Sequence, residues 1–341
     1  MSPTNTADAG IPVINISTPS PEVAQKVLDA ASTHGFLFIE NDGLTIPPED
    51  INAMFDLSRK YFAKFQHEKS EFAIHSEKAG GLNRGWVRMQ GESLDPDGQK
   101  QGDPKEAFNI APPHPDLQPL PSPFSDSTST ILTFQRNCHS LCTQILQLLN
   151  SALQIPSQTY LSARHDQTRG PSGSIFRLLY YPKTSTLDGH SIRAGAHSDY
   201  GSLTLLFRLP GQAGLEVLTP SGLFAPVPVN PFPERLANSP ILVNIGDLLS
   251  FWTNGMLKST VHRVTFGGGE ERYSIAYFCH PLDEVRLDAV PSRAIEDYGD
   301  KGLGREELEG QRRKIGLGVD EEIVLTAREH LDRRLKVTYG L

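Results

Sequence analysis

The chain has 341 residues, of which 38% are hydrophobic and 21% are charged, and its net charge is −8. This composition is ordinary for a globular protein with a sizeable core, and the negative charge argues against a nucleic-acid or anionic-membrane surface. Three cysteines, Cys138, Cys142 and Cys279, are too few for a disulfide framework and are interpreted as core thiols. Residues 1–10 carry no signal-peptide pattern and no apolar run reaches about 20 residues. We therefore expect a cytosolic protein without nucleic-acid or membrane partners, as a monomer or weak homodimer.

The N-terminal half alternates strand and helix patterns. Ser20 suits the cap of the first helix, and Pro21 suits its first turn. Residues 66–125 are rich in Gly, Pro and Asp and predict little regular structure. Strands are predicted at 11–16, 36–40 and 105–110, and helices at 21–33, 48–65 and 126–153.

After about residue 170 the pattern changes to many short strands separated by Gly, Pro and Asn turns. Such a pattern is typical of an antiparallel sandwich or barrel, and closure of the sheet edges favours a jelly roll. The predicted strands are 174–181, 194–199, 203–207, 215–218, 224–228, 241–245, 261–265 and 273–279, and the predicted later helices are 293–298, 304–313 and 325–335.

The predicted fold class is therefore mainly β with flanking helices, of the α+β type, built around a jelly-roll core. We expect one integrated fold in four parts. These are a disordered lead (1–10), an N-terminal region that packs on the core (11–165), the strand-rich core (166–290) and C-terminal helices (291–341).

Three separated residues form the first candidate site. His197 and Asp199 are two apart in a predicted strand, so their side chains point to the same face. His262 follows in a later strand and completes a set of two nitrogen ligands and one oxygen ligand. Such a set leaves about three octahedral positions open and suits a non-heme Fe(II) oxygenase. A tetrahedral zinc site with the same ligands is the alternative, although no general base is evident nearby.

A second pair follows the glycine turn after His262. Arg272 and Ser274 are two apart on one strand and face the same way. An arginine fork beside a hydroxyl can bind a carboxylate inside a cavity. A 2-oxo acid would satisfy both sites, since one end would chelate iron and the other would meet the arginine.

Taken together, these features resemble the 2-oxoglutarate- and Fe(II)-dependent dioxygenases of the isopenicillin N synthase-like superfamily, over nearly the whole chain. The resemblance implies a double-stranded β-helix (jelly roll, cupin-like) core, Fe(II), the cosubstrates 2-oxoglutarate and O2, and ascorbate as an assay additive. The motifs that carry it are Ile11-Pro12-Val13-Ile14, His34-Gly35-Phe36, Arg84-Gly85-Trp86, Lys105-Glu106, Tyr180-Tyr181-Pro182, His197-Ser198-Asp199, Asn244-Ile245-Gly246-Asp247, His262-Arg263-Val264 and Arg272-Tyr273-Ser274.

The resemblance also assigns roles to residues. The metal ligands would be His197, Asp199 and His262, and the distal carboxylate of 2-oxoglutarate would be bound by Arg272, Ser274 and Tyr181. Leu179 departs from the family pattern, because relatives often have Asn there, and it removes one polar contact to the cosubstrate.

Candidate substrate contacts follow from strand parity. Arg177 lies four residues before Tyr181 on one predicted strand, so both side chains face the same side. Arg177 is therefore either an anchor for a carbonyl or anion of the substrate or part of a structural ion pair at the cavity wall. Phe278 shares the parity of Arg272 and should line the same cavity. The N-terminal region is expected to complete the pocket with Met89, Phe108 and Ile110. We interpret the remaining candidate site residues as turn, core or surface residues: Asp247, Tyr200, Leu206, His34, His139, His190 and His280.

Three functional hypotheses remain at this point. The first is an Fe(II)- and 2-oxoglutarate-dependent oxygenase, which hydroxylates, desaturates or otherwise oxidises a small organic molecule and releases succinate and CO2. Its substrate would be a mid-sized specialised metabolite that bears a carbonyl or carboxylate. The second is a non-heme iron oxidase or cyclase of the same superfamily that works without 2-oxoglutarate, and the third is a binding module that kept the fold without catalysis.

Overall fold

The computed structural model describes residues 9–95, 98, 101–183, 191–267, 269–318, 321 and 323–339. His190 and most of the expected lead, residues 1–8, lie outside them. The helices are α1 (Pro21–Thr33), α2 (Pro48–Phe62), α3 (Gln66–Ser70), α4 (Thr128–Ala152), α5 (Tyr160–Arg164), α6 (Asp247–Trp252), α7 (Arg293–Asp300), α8 (Arg305–Lys314) and α9 (Ala327–Tyr339). The strands are β1 (Val13–Ile14), β2 (Phe36–Ile39), β3 (Gly85–Val87), β4 (Glu106–Ile110), β5 (Ile175–Tyr181), β6 (Ser191–His197), β7 (Leu203–Arg208), β8 (Leu215–Leu218), β9 (Phe224–Pro226), β10 (Ile241–Ile245), β11 (His262–Phe266) and β12 (Arg272–Cys279).

The strands form two sheets that face each other across a cavity. The larger sheet has the order β1-β2-β10-β7-β12-β5-β4-β3, and the smaller has the order β6-β11-β8-β9. Apart from the parallel pair β1–β2, neighbouring strands are antiparallel. Two packed antiparallel sheets of this kind make up the jelly-roll core that the strand pattern predicted.

The N-terminal region does more than pack against this core. Its strands extend the larger sheet at both edges, with β1 and β2 beyond β10 and with β3 and β4 beyond β5. Helix α1 is capped as predicted, because the Ser20 hydroxyl accepts a hydrogen bond from the Val23 N–H. The predicted helix 48–65 ends earlier, at Phe62, and the predicted strand 11–16 is reduced to Val13–Ile14.

The outer face of the larger sheet is covered by helices. Helix α4 is the longest helix in the described part of the chain, and it packs with α2 on β5 and β12. Cys138 and Cys142 of α4 and Cys279 of β12 are buried and unbridged, as expected for core thiols. None of the described helices combines the length and the apolar character that a membrane span requires.

Candidate active site

The three predicted metal ligands meet at the ends of two paired strands of the smaller sheet. His197 is the last residue of β6 and His262 is the first residue of β11, and the antiparallel register places the two opposite each other. Asp199 lies past the end of β6 rather than inside a strand, so the predicted strand 194–199 is two residues too long at this end. The Asp199 carboxylate nevertheless lies close to both imidazoles.

The distances within this triad suit a single metal ion. Asp199 Oδ1 lies 3.8 Å from His197 Nε2 and 3.9 Å from His262 Nε2. One ligand atom from each residue falls within 4.8 Å of the others. These separations are those of donor atoms that surround one ion at about 2 Å each.

Backbone carbonyls set the tautomer of both histidines. His197 Nδ1 lies 2.7 Å from the carbonyl oxygen of Gly195, and His262 Nδ1 lies 3.2 Å from that of Thr260. Because a carbonyl can only accept, Nδ1 carries the proton and Nε2 keeps its lone pair for a metal. Burial and the neighbouring His262 lower the pKa of His197 to about 4, so its imidazole is neutral near pH 7.

Asp199 is oriented in the same way. Its Oδ2 accepts hydrogen bonds from Thr204 Oγ1 at 2.6 Å and from Asn244 Nδ2 at 2.8 Å, which leaves Oδ1 directed at the histidines. Burial opposes ionisation, but the two histidines and these two donors outweigh it and lower the pKa of Asp199. The carboxylate is therefore ionised and fixed before any metal binds.

The loop that carries the ligands is anchored from the C-terminal side of the chain. Asp247 begins α6, is fully buried, and accepts a hydrogen bond from Ser198 Oγ at 3.0 Å. Its own N–H donates to the carbonyl of Asp199 at 2.7 Å. Lys314 Nζ of α8 lies 2.9 Å from Asp247 Oδ1 and donates to Ser198 Oγ at 2.7 Å. Arg334 Nε of α9 lies 3.2 Å from Asp247 Oδ2 without being aligned for a hydrogen bond.

Arg272 occupies another part of the same cavity, together with Ser274 and Tyr181. Its Nε donates to the carbonyl of Ala213 at 3.0 Å, and its Nη1 donates to Ser274 Oγ at 3.3 Å. Its guanidinium carbon lies 5.1 Å from the centre of the Tyr181 ring. Arg272 is only 2% exposed, and no carboxylate of the described residues forms an ion pair with it. A buried guanidinium of this kind is a site for an anion.

Arg208 is a further buried arginine near Ser274, which the sequence analysis does not single out and which is not among the cavity-lining residues. It lies opposite Ser274 in the β7–β12 register and is also buried. It donates to the carbonyls of Val227 at 2.8 Å and Pro228 at 2.7 Å, and within the described chain it has no carboxylate partner either. Burial and the charge of Arg272 lower the pKa of Arg208 to about 9. Arg208 lies four residues after Thr204 on β7, so the two side chains share one face of the strand, and this spacing could have been read from the sequence.

Two of the predicted substrate contacts line the cavity and three do not. Arg177 and Phe278 both face it. Phe108 and Ile110 are fully buried in the helix-covered core, where Phe108 packs 4.9 Å from the Tyr61 ring, so their prediction is wrong. Met89 follows the end of β3 and does not line the cavity either. The reason is strand parity, because on β4 it is Asn109 that faces the cavity.

Other lining residues were interpreted as core or surface. Tyr200 and Leu206 belong to the cavity wall, and so does His280. Burial lowers the pKa of His280 to about 3, so this ring is neutral near pH 7. Helix α9 closes part of the wall and contributes Leu331, Leu335, Thr338 and Tyr339.

The residues present fit an iron ion and a 2-oxo acid. The triad offers two imidazole Nε2 atoms and one oriented carboxylate oxygen, and the unpaired guanidinium offers a counter-charge for a carboxylate. Two histidines and one carboxylate in a cavity between two antiparallel sheets define the class of non-heme iron oxygenases.

Comparison with known proteins supports this class. The family model described as the 2OG-Fe(II) oxygenase superfamily matches residues 172–281, and that described as the N-terminal region of non-haem dioxygenases in morphine synthesis matches residues 11–129. The chain is 30% identical to the 2-oxoglutarate-dependent dioxygenase gloF of Glarea lozoyensis, over 77% of this chain and 83% of that protein. It is 34% identical to the UPF0676 protein C1494.01 of Schizosaccharomyces pombe, over 97% and 93% of the two chains.

A solved structure shares the whole architecture. A full-length Neurospora crassa protein, crystallised in complex with alpha-KG, has a TM-score of 0.72 and 27% identity to this chain, over 95% of both. A further complex of that protein contains alpha-KG and thymine, with a TM-score of 0.71 and 26% identity. The chain therefore belongs to the 2OG-Fe(II) oxygenase superfamily, and it is an oxygenase that depends on Fe(II) and 2-oxoglutarate.

Proposed function

We propose that His197, Asp199 and His262 hold the ferrous ion and that Arg272 and Ser274 bind the distal carboxylate of 2-oxoglutarate, with Tyr181 beside them. The single observation that carries this assignment is that a preoriented triad and an unpaired buried guanidinium share one cavity. The enzyme then oxidises a small organic molecule by hydroxylation, desaturation or ring formation.

The bound iron supplies the activation of O2, so that 2-oxoglutarate, O2 and a substrate C–H bond yield succinate, CO2 and C–OH. The chain supplies orientation. The carbonyls of Gly195 and Thr260 hold the imidazoles with Nε2 free, and Thr204 and Asn244 turn Asp199 Oδ1 towards the metal position. Leu179 and Leu206 contribute apolar surface to the cavity wall.

The proposed substrate is a specialised metabolite of moderate size. The 30% identity to the 2-oxoglutarate-dependent dioxygenase gloF supports the oxidation of such a substrate with 2-oxoglutarate. A planar heterocycle is the second candidate, because the Neurospora crassa protein was solved with thymine and because Phe278 offers an aromatic face in the cavity of this chain. The cytosolic location and the monomer or weak homodimer stay predictions.

The first experiment tests the metal and cosubstrate assignment. Anaerobic addition of Fe(II) and 2-oxoglutarate should produce a weak visible charge-transfer band, and air should then yield succinate even without substrate. His197→Ala and Asp199→Ala should lose both signals while the thermal unfolding transition is retained. A metabolite screen by mass spectrometry would then identify products that gain an oxygen atom or lose two hydrogens.

The same assay separates the alternatives. Product formed without succinate would contradict the 2-oxoglutarate mechanism and favour the oxidase or cyclase hypothesis. Absence of both the band and metal binding in the wild-type chain would favour a binding module.

A further inference from the structure

A buried group of four charged side chains lies at one wall of the cavity, and we name it the ion cluster. Glu92, Lys105 and Arg177 line the cavity, and Asp103 pairs with Lys105. Glu92 Oε1 lies 2.5 Å from Arg177 Nη2 and 2.9 Å from Lys105 Nζ. Lys105 Nζ also lies 2.6 Å from Asp103 Oδ2. Tyr339 of α9 donates to Glu92 Oε2 at 2.6 Å. Arg177 is thus an ion pair at the wall, which was one of the two roles that its parity allowed.

Within the ion cluster, Lys105 lies next to Tyr181, whereas Arg177 lies farther from the cosubstrate residues. Arg177 is paired with Ala276 in the β5–β12 register, whereas Tyr181 is paired with Arg272. Four residues of strand separate Arg177 from Tyr181, which corresponds to roughly 13 Å at 3.3 Å per residue. The Arg177 end of the cluster therefore faces the part of the cavity that is left for the substrate.

The charges of the cluster cancel. It contains two cations and two anions, and the side chains of Lys105 and Glu92 are 1% and 2% exposed. The other charged groups among the described lining residues, apart from the histidines, are Asp199 and Arg272, which the proposed function assigns to the metal and the cosubstrate. No charge at this wall is left over for a charged substrate, and burial of an unpaired carboxylate costs several kcal/mol.

Arg177 is also held where it is. Asp103 Oδ1 accepts from the Gly195 N–H at 2.8 Å, which fixes the cluster to β6. If Arg177 turned towards a substrate carboxylate, Glu92 would lose its closest cation while it is still buried. Binding of an anionic substrate at this wall is therefore disfavoured, because it would leave Glu92 buried without that cation.

The wall offers neutral hydrogen-bonding groups instead. Asn109 lies beside Arg177 in the β4–β5 register, and both line the cavity. Asn109 Nδ2 donates to the main-chain carbonyl of Asn83 at 3.2 Å, which fixes the orientation of the amide because a carbonyl only accepts. Asn109 Oδ1 and Arg177 Nε are both buried and, within the described residues, without a hydrogen-bond partner. Asn109 thus keeps one acceptor and Arg177 keeps one donor that no described residue uses, on two paired strands.

We propose that the ion cluster and Asn109 select an uncharged substrate that carries a carbonyl and an adjacent N–H or O–H, such as an amide, lactam or pyrimidine edge, and exclude carboxylates. This inference rests on the proposed function, because it takes Arg272 and Asp199 as occupied by cosubstrate and metal. The expected substrate could bear either a carbonyl or a carboxylate, and this proposal retains only the carbonyl.

The test compares matched neutral and anionic probes. The full chain, loaded anaerobically with Mn(II) and 2-oxoglutarate, is titrated with benzamide and thymine and with benzoate and orotate, and Mn(II)-induced relaxation of the probe protons reports weak binding near the metal. In the wild type we expect the uncharged probes to bind more tightly by about tenfold or more. Equal or tighter binding of benzoate would overturn the proposal, and so would the absence of relaxation with both uncharged probes.

Variants of the cluster change the expected preference. Glu92→Gln leaves Arg177 without its carboxylate, so the benzoate-to-benzamide ratio should rise by about tenfold or more. Arg177→Met leaves one excess negative charge and should favour benzylamine over benzoate. Glu216→Gln is the matched control, because Glu216 pairs with Arg263 at 2.7 Å outside the cavity, and it should keep the wild-type ratio.

A separate readout distinguishes the two levels of inference. The anaerobic Fe(II) and 2-oxoglutarate band is measured on every variant. If the wild type lacks that band, the proposed function fails. If the band is present in Glu92→Gln and Arg177→Met but their probe ratios equal that of the wild type, only the neutral-substrate proposal fails.

Discussion

Two buried arginines line the same cavity, and their partners make them chemically different. Arg177 is neutralised by Glu92 at 2.5 Å, whereas Arg272 contacts a carbonyl, a hydroxyl and the Tyr181 ring but no carboxylate of the described residues. A buried guanidinium without a counter-charge gains from any carboxylate that reaches it, while a paired one does not. We therefore expect their substitution to affect different ligands.

Replacement of Arg272 should act on the cosubstrate. Arg272→Ala removes the only unpaired cation in the described cavity lining, so the KM for 2-oxoglutarate should rise by roughly 10- to 100-fold, equivalent to about 1.4 to 2.8 kcal/mol. Arg272→Lys should recover part of the affinity for 2-oxoglutarate, because an ammonium restores the positive charge but not the two parallel N–H donors of a guanidinium. Succinate formation against 2-oxoglutarate concentration measures both.

The control for this prediction is Arg293→Ala, since Arg293 is exposed on α7 and its side chain is 79% accessible. It should keep the wild-type requirement for 2-oxoglutarate. If Arg272→Ala has the same KM as the wild type, the assigned role of Arg272 is wrong.

Strand geometry explains which of the predicted substrate contacts line the cavity. The positions of Arg177 and Phe278 followed from Tyr181 and Arg272, because alternate residues of β5 and β12 share one face. On β4 no residue of known orientation anchored the pattern, and every residue of this strand is buried. Phe108 and Ile110 were therefore assigned to the wrong face.

At the level of elements, the C-terminal helices support the metal site. Lys314 of α8 and Arg334 of α9 reach Asp247. Asp247 in turn contacts the side chain of Ser198 and the backbone of Asp199. Burial raises the pKa of Asp247, but Lys314 and Arg334 outweigh it and lower the value to about 2. The carboxylate is thus ionised, buried and dependent on its two cations.

Removal of one cation should loosen the ligand loop. Lys314→Met leaves Asp247 with Arg334 alone, and we expect a loss of about 2 to 4 kcal/mol of unfolding free energy, since an incompletely paired buried charge is costly. The affinity for Fe(II) should also fall, by about tenfold, because Ser198 lies between two ligands and loses a donor. Urea unfolding and metal titration of the same preparation measure these effects.

Lys301→Met provides the matched comparison, because Lys301 is exposed in the turn after α7. It should change neither quantity. A Lys314→Met variant that unfolds earlier but binds Fe(II) with unchanged affinity would show that the anchor is structural only.

For the whole molecule, the buried histidines set the response to acid. Burial lowers the pKa of His330 from 6.5 to about 4 and that of His280 from 6.5 to about 3. As the pH falls below 6.5, the unfolded chain takes up protons at these positions while the folded chain does not. The folded state therefore loses stability in this window, and the loss continues until the folded pKa values are reached.

We expect the metal-free protein to lose roughly 2 kcal/mol per histidine between pH 7 and pH 5, at about 1.4 kcal/mol per pH unit below 6.5. Urea unfolding in EDTA at several pH values measures the slope. His330→Asn should reduce the slope whatever its effect on absolute stability. His67→Asn, at an exposed position on α3, should keep it. A wild-type slope in His330→Asn would contradict the assignment.

The sequence by itself predicted the strand-rich core, the long helix, the three candidate metal ligands and the pair Arg272 and Ser274. These features depend on periodicity, turn residues and short spacing, all of which are local properties of the chain. The overall resemblance of the motifs then determined the class of enzyme.

The tertiary structure alone decided the character of the substrate wall. Glu92, Asp103 and Lys105 come from an irregular stretch, and they meet Arg177 only because β4 pairs with β5. The extension of the sheet by N-terminal strands and the anchoring of Asp247 by Lys314 likewise join distant segments. Burial decides whether such charges cancel or attract a ligand, and burial is a property of the folded chain, not of any local pattern.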